Sequence, residues 1–165
     1  MRTQPNLFEI LQNPAVGLIA IHSFILGYNN VAKNHETDSP YPPLPYLFYI
    51  LPIVYDSKAV ESMRFELYTT LSSNPALTLG LQDRANKMSG QTFDSLNLGF
   101  SKKILTLNQE DYTVEISEKT QKDLLSQMKL DNQVLRDIRT ASKKLGNIFA
   151  KKDPKMLQLN LNIRF

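Results

Sequence analysis

The chain has 165 residues, 42% of them apolar and 21% charged, with a net charge of +3. This is too apolar for general disorder and long enough to bury a core without staples. The absence of cysteine excludes a disulfide framework, a thiolate nucleophile and cysteine-ligated zinc, and a cytoplasmic setting is expected. One domain over residues 1–165 is the default for this length.

Residues 1–12, MRTQPNLFEILQ, lack a basic segment followed by a long apolar run and a small-residue cleavage site, so no secretory signal is expected. Asn13-Pro14 marks a helix start, because the Asn side chain caps exposed amides and Pro at the first helical position forfeits no hydrogen bond. The helix predicted from there to about Asn30 carries apolar residues nearly all round, which assigns it to the core or to a subunit interface. His22 lies in this apolar setting with no acidic or second His partner at helical spacing and reads as a packing residue. Residues 31–41 read as a polar loop.

The proline-framed stretch that follows, PPLPYLFYILPIVYD, is too short and too interrupted to cross a membrane, which takes roughly 20 apolar residues. It predicts a helix that Pro52 kinks or ends. Asp56 or Ser57 then caps a short helix, KAVESMR. Asn74-Pro75 opens a further helix, Ser89-Gly90 supplies a turn, and Thr92 caps a second helix ending at Lys102 and Lys103. Residues 104–107 and 112–116 are rich in β-formers and flank a polar NQED turn, which predicts a hairpin.

Residues 117–131 read as a surface connection. Val134, Ile138, Ala141, Leu145 and Ile148 then repeat at steps of four and three, the stripe of an amphipathic helix that begins at Asp131 or Asn132. The end, MLQLNLNIRF, alternates apolar and polar residues and predicts a terminal strand, able to pair with the hairpin or with another chain's sheet edge. The expected fold is therefore mainly α with a small β component (α+β). It comprises N-terminal helices over 13–63, a winged helix-turn-helix-like core whose wing is the hairpin over 73–117, and a long helix and terminal strand over 131–165.

Chemistry is harder to find. There is no phosphate-binding glycine loop, no dinucleotide fingerprint, no HExxH and no nucleophile elbow, while His22 and His35 fall in different elements. Neither enzymatic activity, a cofactor nor a metal site is expected. Two sets of contact residues stand out instead. Pro45, Tyr46, Phe48, Tyr49 and Tyr55 form an aromatic and proline set suited to docking a partner. Between residues 119 and 155, ten Lys or Arg face four acidic residues. From this region Arg139, Lys143, Lys144, Lys151 and Lys152, together with Lys102 and Lys103 before the hairpin, suit nucleic acid or an acidic partner. The second helix of the winged-helix-like unit offers only Asn97, Lys102 and Lys103 for reading bases, which favours protein docking over a stand-alone winged-helix transcription regulator.

The order of five segments carries a resemblance: NPAVGLIAIHSFILGY (13–28), PLPYLFYILPIVYDSKAVESM (43–63), SSNPALTLGLQDRANKMSGQTFDSLNLGFSKKILTL (72–107), TASKKLGNIFAK (140–151) and LNLNIRF (159–165). Together they resemble the middle components of bacterial three-component systems built around an SMC-like ABC ATPase, the group to which Lamassu-type antiphage defence belongs. The resemblance implies a non-enzymatic accessory subunit that links a DNA-sensing ATPase to an effector, a nuclease in many such systems. The basic set adds non-specific contact with double-stranded DNA inside the complex as an open alternative to an acidic partner, and the short, proline-interrupted apolar run leads to the expectation of no membrane partner.

Overall fold

The computed structural model describes residues 6–34, 39–64, 66–118 and 130–165. The chain begins with a short helix α1 (Leu7–Gln12), closed by a reciprocal capping box in which Asn6 accepts from the Glu9 amide and Glu9 accepts from the Asn6 amide. Asn13 then caps α2 (Pro14–Ala32), where the sequence placed the start. Every residue from Val16 to Ile25 is buried. By length and composition α2 could cross a bilayer, but in this fold it is the axis on which the other elements pack.

The principal partner of α2 is α8 (Gln133–Ala150), capped by Asn132 and antiparallel to α2. Two glycines set their separation. A Cβ at Gly27 would stand 2.0 Å from the Lys143 carbonyl oxygen, and one at Gly146 would stand 2.1 Å from that of Phe24. Backbone therefore touches backbone at the crossing, an approach that any side chain would forbid. Around it Phe24, Phe149 and Tyr46 stack edge to face, with ring centres 5.5 and 5.6 Å apart in turn. Each such pair contributes about 0.5–1.5 kcal/mol beyond its buried area.

The proline-framed stretch departs from expectation. It forms a 3-10 helix over Leu44–Tyr49 that passes into α3 (Ile50–Val54). Pro52 neither kinks nor ends a helix; it sits in the first turn of α3, where a missing N–H forfeits no intrahelical bond. Asp56 caps α4 (Ser57–Ser62) with two amide bonds, as expected. A further helix, α5 (Leu67–Ser73), comes from a Thr- and Ser-rich segment in which the sequence signalled none, and Asn74-Pro75 opens only a 3-10 turn over Pro75–Leu77.

Helices α6 (Leu81–Lys87) and α7 (Ser89–Ser101) precede an antiparallel hairpin of β1 (Leu105–Leu107) and β2 (Val114–Ile116), in the expected order. The expected turn at Ser89-Gly90 is absent, because both residues belong to the first turn of α7 and Met88 alone separates the helices. Thr92 is likewise no cap. It is buried inside α7, and its hydroxyl donates to the Met88 carbonyl at 3.3 Å.

The terminal strand is overturned. Asp153 and Pro154 start α9 (Pro154–Leu161), in which Leu157 and Leu161 are buried and Leu159 is exposed. The outer edge of β2 is taken instead by the proline stretch: Val114 donates to the Pro42 carbonyl at 3.0 Å, and Leu44 donates to that of Tyr112 at 2.9 Å. Segments 13–63, 73–117 and 131–165 all contribute to one hydrophobic cluster. The connection expected over 117–131 falls largely on residues outside the described ones, as does His35.

Candidate contact surfaces

The aromatic set divides by depth. Tyr46 and Tyr49 are buried, and Phe165 covers them at ring-centre distances of 4.6 and 5.5 Å. The Tyr49 hydroxyl donates to the Arg164 carbonyl at 2.6 Å, while Arg164 donates its amide to Gln82 at 2.8 Å, so the chain's last residues are fastened over these rings. Burial pushes the ionisation of Tyr46, Tyr49 and Tyr55 upward, and the Tyr55 hydroxyl is enclosed without a hydrogen-bond partner. What reaches the surface is Pro45, exposed, with Phe48 and Tyr55, both half-buried. Phe48 meets the exposed Phe93 of α7 edge to face at 4.9 Å. Phe93 has no signal in the sequence, since its exposure follows from the way α7 lies on α2.

The basic set divides by place. Lys102 and Lys103 are exposed where α7 turns into β1, beside a groove that also carries Glu115 and Glu118. Arg139, Lys143 and Lys144 line a groove of about 290 Å³ between α2 and α8, together with Ser23, Leu26, Thr140 and Asn147. Lys151 and Lys152 are exposed just beyond the end of α8.

His22 is buried in α2, and desolvation lowers its pKa to about 4, so it is neutral at physiological pH. Its Nδ1 has no hydrogen-bond partner. Among the described residues, no group of His, Asp or Glu side chains converges on a metal position.

A helical scaffold with a small hairpin, an apolar rim and a basic groove defines a protein whose distinctive surfaces are suited to contact. The chain belongs to the family described as ABC-three component (ABC-3C) system Middle Component 3, whose model matches residues 1–165. It is thus an accessory middle component of an ABC-3C system. No curated protein and no solved structure matches it.

Proposed function

We propose that the chain is a non-enzymatic, cytoplasmic adaptor in an antiphage defence complex of the Lamassu type, joining an SMC-like ABC ATPase to an effector that acts on nucleic acid, most simply a nuclease. The observation that carries this reading is membership of the middle-component family over residues 1–165. The surface supports it. Pro45, Phe48 and Phe93 offer apolar and aromatic contact area at low conformational cost. Tyr46 and Tyr49, buried in the same segment, support that rim from beneath.

Co-expression with the proteins encoded beside it tests the reading. The tagged chain is expected to retain a long coiled-coil ATPase and a third protein through size exclusion. Phe48→Ala combined with Phe93→Ala is expected to weaken retention of one partner by about tenfold or more, the scale of an interface anchor. A chain that elutes alone, with both neighbours present and folded, overturns the adaptor.

A further inference from the structure

We propose that the groove between α2 and α8 is a phosphate-binding site that takes the backbone of a nucleic-acid duplex. This deepens the adaptor reading by naming where the complex meets DNA, and it rests on that reading only for its biological setting.

The site arises from the helix crossing. Because the backbone of α8 lies directly on Gly27, the two helices sit close together, and Ser23 and Leu26 of α2 lie under one flank of α8. That flank carries Arg139, Thr140, Lys143, Lys144 and Asn147, all within a wheel sector of about 140° at about 100° per residue. The groove thus presents a guanidinium, two ammonium groups, an amide and the hydroxyls of Ser23 and Thr140, and among the described residues no carboxylate lines it. Lys143 and Lys144 are exposed, and neither makes an ion pair with any described residue. Asn147 keeps its Oδ1 enclosed without a partner, so no internal bond to that oxygen fixes the amide.

The pattern favours a polyanion over a compact acidic group. Arg139, Lys143, Asn147 and Lys151 follow one another at four-residue steps, a row of donors roughly 6 Å apart and roughly 18 Å long. A phosphate backbone repeats its charge at regular intervals along such a length, and neutralising it releases counterions. The groove beside the hairpin lacks this character, since Glu115 and Glu118 stand among its lining residues.

The test titrates the full chain with a fluorescent duplex of arbitrary sequence at several salt concentrations. Lys143→Gln combined with Lys144→Gln is compared with a charge-matched control, Lys58→Gln combined with Lys87→Gln. All four lysines are exposed, and circular dichroism checks that both variants keep the fold. The groove pair is expected to weaken binding about tenfold and to reduce the slope of log affinity against log salt by about 2, roughly one for each phosphate no longer neutralised. The control is expected to leave the affinity within a factor of about two.

Equal losses in both variants, or no duplex binding at low salt, overturn the proposal. So does poly-glutamate that binds as tightly as duplex with the same dependence on Lys143 and Lys144, which would make the groove an acidic-peptide site. Competition by inorganic phosphate or a nucleoside triphosphate at concentrations that leave the duplex unbound would keep the phosphate chemistry and overturn the duplex as its source. Failure here leaves co-purification with the ATPase untouched, and failure of co-purification leaves the duplex titration untouched.

Discussion

Helices α2 and α8 have nearly the same length and lie against each other, yet they are written in opposite ways. In α2 the burial from Val16 to Ile25 is unbroken, so the helix has no outward face along that stretch. In α8 burial follows one stripe through Ile138, Ala141, Leu145, Ile148 and Phe149, while Lys143 and Lys144 stay in solvent. The comparison separates two demands on one contact. An all-round apolar helix requires neighbours on every side, and a one-sided helix supplies one of them while keeping a surface free for other work. The glycines let the two meet at backbone distance.

The largest effect is expected where that contact is tightest. Gly27→Ala or Gly146→Ala places a methyl group within about 2 Å of a facing carbonyl oxygen, which is backbone and cannot swing away. Each is expected to destabilise the fold by about 3–5 kcal/mol, read from the urea midpoint. Gly90 in α7 is the contrast, because nothing lies within 4 Å of a Cβ built there. Gly90→Ala is expected to raise stability by about 0.5–1 kcal/mol through helix propensity alone. Equal effects at Gly27 and Gly90 would show that the crossing is looser than described.

His22 tests the burial of α2 by titration. Its folded pKa, lowered by desolvation to about 4, lies below the unfolded value of 6.5, so between these values the unfolded chain binds more protons than the folded one. Stability from this source is complete above pH 6.5 and is lost progressively as pH falls toward 4, by up to about 3 kcal/mol. Melting temperatures of the parent chain and of His22→Leu across that range provide the check. The variant is expected to show a flatter dependence, and identical slopes would place His22 in solvent.

A smaller effect than that of His22 belongs to α8. Ser142 is buried and its hydroxyl has no hydrogen-bond partner. Ser142→Ala removes that unpaired group and is expected to stabilise by about 1 kcal/mol. A destabilisation of similar size in calorimetry would mean that the hydroxyl is bonded.

Several features are legible in the sequence because they are local. Asn13-Pro14, Asp56 and Asn132 cap helices where their side chains reach the first free amides. The capping box of α1 is equally local, carried by Asn6 with Glu9 three residues on. The basic residues are legible too, as a set without an arrangement. Nothing in their spacing tells that Arg139, Lys143 and Lys144 flank a groove floored by α2, or that Lys102 and Lys103 lie near Glu115 and Glu118.

What the sequence determined by itself was the class of the fold, the position of α2, the stripe of α8 and the existence of the hairpin, because caps, turn residues and a long clear period act over a few neighbouring residues. Tertiary structure decided the rest. The spacing of Leu157, Leu159, Leu161 and Ile163 satisfies a two-residue strand period, but Leu157 and Leu161 are also one helical turn apart. Pro42 and Leu44 are already bonded along the outer edge of β2, which closes that edge to a terminal strand. The segment satisfies its own backbone bonds as α9 and turns Leu157 and Leu161 inward, a choice between two periods that only the neighbouring elements could make.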